Sequence, residues 1–197
     1  MARQSNKLRI IGGQWRSRQL SFPDAEGLRP TTDRIRETVF NWLQPVIHGA
    51  RCLDLFSGSG AMGFEALSRG AASVVMVDLN PKVVRQLKEN VQLLATRNAQ
   101  VVQADCLQYL SQANGPFDVI FLDPPFAKDM LQSVLERIEK HALLASGGYV
   151  YVECERQLSD LRFPPHWQLH REREGGQVRF SLYQNSAGDE ASPSDII

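Results

Sequence analysis

Short apolar runs separated by segments of helical spacing fill the middle of the chain. Residues 51–56 (RCLDLF), 73–78 (SVVMVD), 100–104 (QVVQA) and 117–122 (FDVIFL) are rich in Val, Leu, Ile and Phe and predict buried strands. Between them, residues 61–69, 81–96, 106–111 and 128–144 predict helices. In the second helix Val83, Val84, Leu87, Val91, Leu94 and Ala95 recur every three or four positions, and Lys82, Arg85, Lys88 and Glu89 fill the opposite face. Asn80-Pro81 supplies its cap and first turn. Repeated β-α units imply a parallel sheet with right-handed crossovers.

The two ends follow other patterns. Residues 148–154 (GYVYVEC) predict a fifth strand, and residues 167–174 and 177–183 alternate around Gly175-Gly176, as in a two-residue hairpin. Upstream, residues 8–11 and 18–22 flank Gly12-Gly13 and predict a smaller hairpin. Residues 31–43 then read as an amphipathic helix with Ile35, Val39, Phe40 and Leu43 on one side. The fold class is therefore α/β: a mostly parallel sheet closed by an antiparallel hairpin, with a small N-terminal hairpin and helix extension.

Composition adds limits. The chain has 197 residues, 43% hydrophobic and 22% charged, which suits one globular domain and excludes a collagen, a largely disordered chain or a small disulfide scaffold. Cys52, Cys106 and Cys154 are odd in number and widely spaced, so neither a disulfide framework nor a zinc site is expected. No apolar run matches a secretory leader or the about 20 residues of a membrane helix, so a cytoplasmic location without membrane contact is expected.

The 22 Lys and Arg balance the 22 Asp and Glu, but unevenly along the chain. Residues 1–22 carry Arg3, Lys7, Arg9, Arg16 and Arg18 and no acid, whereas residues 185–197 carry three acids and no base. We expect residues 1–30 to be a basic, RNA-contacting extension, residues 31–184 the main domain and residues 185–197 a disordered acidic tail. Arg9, Arg16 and Arg18 interleave with Trp15 on the predicted hairpin, and Arg34 and Arg36 stand near the start of the following helix. Cations beside an aromatic suit phosphate contact and base stacking.

Candidate chemistry sits where strands end. The first strand runs into Ser57-Gly58-Ser59-Gly60-Ala61-Met62-Gly63 and then a helix, a loop whose N–H groups can approach a ligand. Asp78 follows Gly58 by 20 residues and can accept both hydroxyls of a ribose. That much also suits a nicotinamide dinucleotide. Asp54, inside the first strand, needs a donor such as an amino-acid ammonium, or else caps a helix or turn. Asp105 can receive an exocyclic adenine amine or cap the short helix after it. A nucleoside bearing an amino-acid tail uses more of these groups than a dinucleotide does.

The fourth strand ends in Asp123-Pro124-Pro125-Phe126. Two prolines fix φ and remove two N–H donors, leaving rigidly aimed carbonyls. Asp123 and the Pro124 carbonyl can receive both hydrogens of a planar amine, and Phe126 can stack on its ring.

LDLFSGSGAMG, Asp78, Asp105 and DPPF, in this order, resemble the S-adenosylmethionine-dependent methyltransferases of the seven-stranded class I type that act on exocyclic amines. With GGQWRSRQL and RPTTDRIRETVFNWL, the chain is similar over residues 8–183 to the bacterial enzymes that form N2-methylguanine in small-subunit (16S) ribosomal RNA. The resemblance implies S-adenosyl-L-methionine as cofactor. Asp54, Phe56, Gly58, Ser59 and Gly60 would hold its methionine part, Asp78 the ribose, and Asp105 with the Cys106 backbone the adenine. Asp123, Pro124 and Phe126 would hold the guanine, and Arg9, Trp15, Arg16, Arg18, Arg34 and Arg36 the RNA. It also implies 16S rRNA, within the small subunit or an assembly intermediate, as substrate, and a monomer is the default expectation. DPPF alone does not choose between guanine and adenine. An adenine-N6 methyltransferase, an oxidoreductase and a non-catalytic rRNA-binding factor are the competing readings.

Overall fold

The computed structural model describes residues 6–24, 31–125, 128–158 and 160–187. A two-stranded antiparallel sheet pairs β1 (Asn6–Arg9) with β2 (Gln19–Phe22), and α1 (Asp33–Trp42) follows. The chain then alternates through β3 (Arg51–Asp54), α2 (Ala61–Ser68), β4 (Ser73–Asp78), α3 (Pro81–Leu93), β5 (Ala99–Gln103), α4 (Cys106–Leu110), β6 (Phe117–Leu122) and α5 (Lys128–Lys140). It ends with β7 (Leu144–Glu155), β8 (Trp167–Gly175) and β9 (Val178–Asn185).

The large sheet has seven strands in the order β5-β4-β3-β6-β7-β9-β8, parallel through β7 and antiparallel beyond it. From β3 the chain winds first toward β5 and then returns to β6 on the other side. The strand order thus reverses between β3 and β6, where open α/β sheets leave a crevice at the carboxyl ends of their strands.

Both faces of the sheet are covered, which explains why its central strands are apolar without alternation. Cys52, Met76, Phe121 and Tyr151 pack with α1, α2, α3 and the N-terminal hairpin, while Leu53, Val77, Ile120 and Val152 pack with α4, α5 and Trp167. Caps follow local chemistry: Thr32 accepts the Ile35 amide ahead of α1, and Asn80 accepts the Lys82 amide ahead of α3.

Several boundaries differ from the sequence reading. Helix α3 stops at Leu93 because Ala95 takes φ 51°, and α5 stops at Lys140 because Ala142 takes φ 48°. Leu144, predicted as helical, pairs with Phe117 and begins β7. Gly175 pairs with Val178, so the final turn is Gly176-Gln177, with Gly176 supplying the left-handed φ of 64°. Asn185, assigned to a disordered tail, is a buried residue of β9 whose amide donates to the carbonyls of Leu144 and Ala145. The tail from residue 188 onward lies outside the described residues.

The N-terminal hairpin shares the main core. Leu8, Ile10, Leu20 and Phe22 are buried in the same cluster as α1 and α2. Polar contacts fix its position: the Glu65 carboxylate accepts the Ile11 amide at 2.9 Å, the Gly12 amide at 2.8 Å and Arg69 Nε at 2.8 Å. Ser68 Oγ accepts the Trp15 amide and donates to the Gly12 carbonyl. The Asn90 amide donates from α3 to the Ser21 carbonyl.

Arg36, expected on the RNA-facing surface, is instead fully buried. It shares the inward face of α1 with Ile35, Val39 and Phe40, and its Nη2 donates to the Arg9 carbonyl at 2.9 Å and to Asp33 at 2.6 Å. Its guanidinium ties α1 to β1 and is turned away from any surface contact. Arg16, Arg18 and Arg34 are exposed, as is Arg9, which pairs with Asp33 at 3.0 Å. Trp15 is half-buried against the core.

Candidate active site

A crevice of about 630 Å³ opens at the carboxyl ends of β3, β4, β5, β6 and β7. Asp54, Phe56, Gly58, Ser59, Asp78, Asp105, Cys106, Asp123 and Pro124 all line it, so the strand-end residues singled out in the sequence converge on one cavity. Gly60 stands just behind this surface as the N-cap of α2. Phe126 lies outside the described residues.

The glycine loop is shaped by close packing. Gly60 has φ 79°, and a Cβ there would meet the Phe64 ring at 2.5 Å and Leu87 at 2.8 Å. Glycine is thus required both by conformation and by space. The Gly58 amide donates to Asp78 Oδ2 at 3.0 Å, and the Asn80 amide donates to Oδ1 at 2.8 Å. Asp78 is held by two backbone donors while still facing the crevice, and burial raises its pKa.

Asp54 is buried, and its Oδ2 accepts the Gly63 amide in the first turn of α2 at 2.9 Å. The turn-cap alternative therefore describes a real contact, alongside a place on the crevice wall. Burial pushes its pKa to about 7; the Gly63 amide opposes the shift and the nearby Asp78 adds to it. Asp105 likewise caps α4, its Oδ1 accepting the Leu107 and Gln108 amides at 2.9 and 3.0 Å.

At the end of β6, Asp123 Oδ2 accepts the Thr31 hydroxyl at 3.2 Å. Beside it, at the end of β7, stands Glu153, which sequence reading missed. Glu153 is buried, lines the crevice and accepts the Tyr151 hydroxyl on Oε2 at 2.6 Å. Burial raises the pKa of both carboxyls, and the neighbouring Glu153 raises that of Asp123 further. A signal for Glu153 was present: an acid amid the apolar residues of GYVYVEC carries the same desolvation cost that made Asp54 notable.

The crevice has a marked charge character. Asp54, Asp78, Asp105, Asp123 and Glu153 line it, and among the described lining residues there is no Lys, Arg or His. Such a site favours a cationic ligand and disfavours a polyphosphate. No group of three or more His, Cys, Asp or Glu among the described residues could hold a metal ion.

The Asp54 shift has a measurable consequence. An unfolded aspartate ionises near pH 4, whereas folded Asp54 keeps its proton until about pH 7. Between these values the folded state binds more protons, so this group makes stability fall as pH rises, with no further loss above that window. Asp54→Asn is expected to raise the Tm of the ligand-free protein by several degrees at pH 8 and to change it little at pH 4. A difference of equal size at both pH values in thermal unfolding would refute this.

The family model described as Conserved hypothetical protein 95 matches residues 8–184. Ribosomal RNA small subunit methyltransferase D of Escherichia coli is 46% identical over 187 residues, covering 95% of this chain and 94% of that protein. The protein of the same description from Haemophilus influenzae is 44% identical over 183 residues, covering 91% of this chain and 94% of its own length. The solved structure of a putative methyltransferase from Escherichia coli superposes with a TM-score of 0.83 at 46% identity, covering 91% of this chain and 98% of that one. No helix among the described residues is long and apolar enough to cross a membrane.

Proposed function

The chain belongs to the family of the ribosomal RNA small subunit methyltransferases D, and on that premise we propose that it methylates the exocyclic N2 amine of a guanine in 16S ribosomal RNA. S-adenosylmethionine is the cofactor, and when bound it supplies a methyl group made electrophilic by a sulfonium. The observation that carries the reading is the crevice lined by five carboxylates and, among its described lining residues, no cationic side chain. A sulfonium and an amino-acid ammonium are welcome there, whereas the pyrophosphate of a nicotinamide dinucleotide is repelled. Positive charge in the crevice also draws the raised carboxyls back toward their ionised form.

The donor set fits the cofactor part by part. The loop from Asp54 through Phe56, Gly58 and Ser59 to Gly60 takes the methionine portion, with Asp54 receiving the ammonium. Asp78 accepts the ribose hydroxyls, and Asp105 with the Cys106 backbone takes the adenine. On the other side of the crevice Asp123 and the Pro124 carbonyl receive the two N2 hydrogens and aim the nitrogen lone pair. As that nitrogen gains positive charge, the Asp123 carboxylate stabilises it and takes the proton it sheds. Phe126 is assigned the base-stacking role, and the guanine must leave its helical stack to reach it.

The substrate is the rRNA within the small subunit or an assembly intermediate, met by a cytoplasmic monomer. The deciding experiment incubates the protein with methyl-labelled S-adenosylmethionine and unmodified small subunits or naked 16S rRNA, then digests the RNA to nucleosides. Labelled N2-methylguanosine is expected. N6-methyladenosine in its place would shift the reading to an adenine enzyme, and absence of any labelled nucleoside from every substrate would sink it.

Arg9, Trp15, Arg16, Arg18 and Arg34 are assigned to the RNA-facing surface. Replacing Arg9, Arg16 and Arg18 together by Ala is expected to weaken RNA binding. The log–log salt dependence should become shallower by about 2, since each lost phosphate contact removes about 0.7–0.9. An unchanged slope in filter binding would place the RNA elsewhere.

A further inference from the structure

The four letters DPPF leave the choice of base open, but the end of β7 supplies a second acceptor beside them. Parallel strands β6 and β7 pair Leu122 with Val152, so the next residues, Asp123 and Glu153, stand side by side at the carboxyl ends. Both line the crevice. Each accepts one hydroxyl: Thr31 donates to Asp123 Oδ2, and Tyr151 donates to Glu153 Oε2. These hydroxyls engage one oxygen of each carboxyl.

Such a pair is costly. Two neighbouring carboxyls, Glu153 buried and Asp123 partly so, repel when ionised, and the described crevice lining offers neither a cation. Within the fold Glu153 accepts the buried Tyr151 hydroxyl on Oε2 and lines the crevice. What the arrangement does provide is two adjacent acceptors on the wall of one cavity.

Resting on the guanine reading above, we propose that Glu153 is the specificity-determining residue of the base site, its carboxylate receiving guanine N1–H while Asp123 and the Pro124 carbonyl receive the N2 hydrogens. A flipped base is read through its Watson–Crick edge. Guanine presents two adjacent donors there, N1–H and N2–H, which match two adjacent acceptors. Adenine presents one donor next to the N1 lone pair, which a carboxylate repels. Tyr151 is a positioning residue, holding one oxygen of Glu153 so that the carboxylate keeps its aim.

The test uses 2-aminopurine, which retains the amine at C2 but carries a bare lone pair at N1. It is placed in the RNA at the nucleotide that product analysis identifies, and kcat/KM is compared with that for guanine. The parent protein is expected to favour guanine by about 100-fold or more, because a site built around a donor leaves its acceptor unpaired when the donor is missing. Glu153→Gln keeps the volume and can donate to N1, so it should narrow that ratio by about tenfold or more, chiefly by losing activity on guanine.

Tyr151→Phe leaves the carboxylate but frees it, and should narrow the ratio by a smaller factor. This second variant decides the matter if Glu153→Gln does not fold. An unchanged ratio in a folded Glu153→Gln, or in Tyr151→Phe where only that variant folds, overturns the assignment whatever happens to total activity. Failure of the parent protein to methylate guanine at all would instead overturn the functional reading on which the assignment rests.

Discussion

Asp123→Asn is expected to lower kcat by about 10²- to 10³-fold, the loss typical when a group that stabilises transition-state charge is removed. Affinity for S-adenosylmethionine should stay within about threefold, because the change removes an interaction made chiefly as the nitrogen becomes cationic. Asparagine keeps the volume and can still accept the Thr31 hydroxyl through its carbonyl. It cannot take a proton from the nitrogen and contributes no negative charge. The substitution also relieves repulsion from Glu153, the neighbour that helps to raise the Asp123 carboxyl above the usual carboxylate range. Thermal stability should therefore hold or rise while turnover collapses, a combination that misfolding cannot produce. Retention of most activity on 16S rRNA would remove Asp123 from the mechanism.

Glu65→Ala is expected to have the largest effect on stability. The Glu65 side chain is fully buried and accepts three hydrogen bonds, from the Ile11 and Gly12 amides and from Arg69 Nε. Truncation leaves these donors without their acceptor, including a guanidinium whose side chain is only 18% exposed. Breaking a buried ionic cluster by removing one partner costs about 3–5 kcal/mol, which in a chain of this length lowers Tm on the order of 10 °C. Amide exchange at Ile11 and Gly12 should accelerate before global unfolding, because Glu65 is the acceptor of both amides, while Ser68 holds the neighbouring Gly12 carbonyl and Trp15 amide. Glu65→Gln retains an acceptor and should fall between parent and alanine. A Tm within about 2 °C of the parent for Glu65→Ala would show that apolar packing and the Ser68 and Asn90 contacts hold the hairpin without it.

These two positions illustrate how differently the chain discloses its parts. Asp123 stands in a local motif: an apolar strand, an acid and two prolines, all contiguous, whose chemistry depends on fixed backbone geometry. Gly58, Gly60 and Asp78 are similar, since a glycine loop between strand and helix and an acid 20 residues later are constrained by near neighbours. Glu65 carries no such mark. It sits in α2 among small and apolar residues, and the amides it accepts lie 53 and 54 positions earlier in the chain. Arg36 looked like a surface cation for the same reason: helical spacing places it on the buried face, but its charge argued against burial until the Arg9 carbonyl and Asp33 were seen to receive it.

By itself the sequence determined the alternating α/β order, the buried central strands, the capped start of α3 and the residues of the glycine and proline loops. Each depends on periodicity or on backbone restrictions acting within a few residues. Only the tertiary structure decided which acids become neighbours, which arginine is buried, where α5 yields to β7 and that Asn185 completes β9. Those outcomes depend on pairings across the chain, such as Thr31 with Asp123 over 92 positions and Leu122 beside Val152 across the sheet. Whether a buried charge finds a partner, and so what it costs, follows from such pairings, which leave no periodic trace in the sequence.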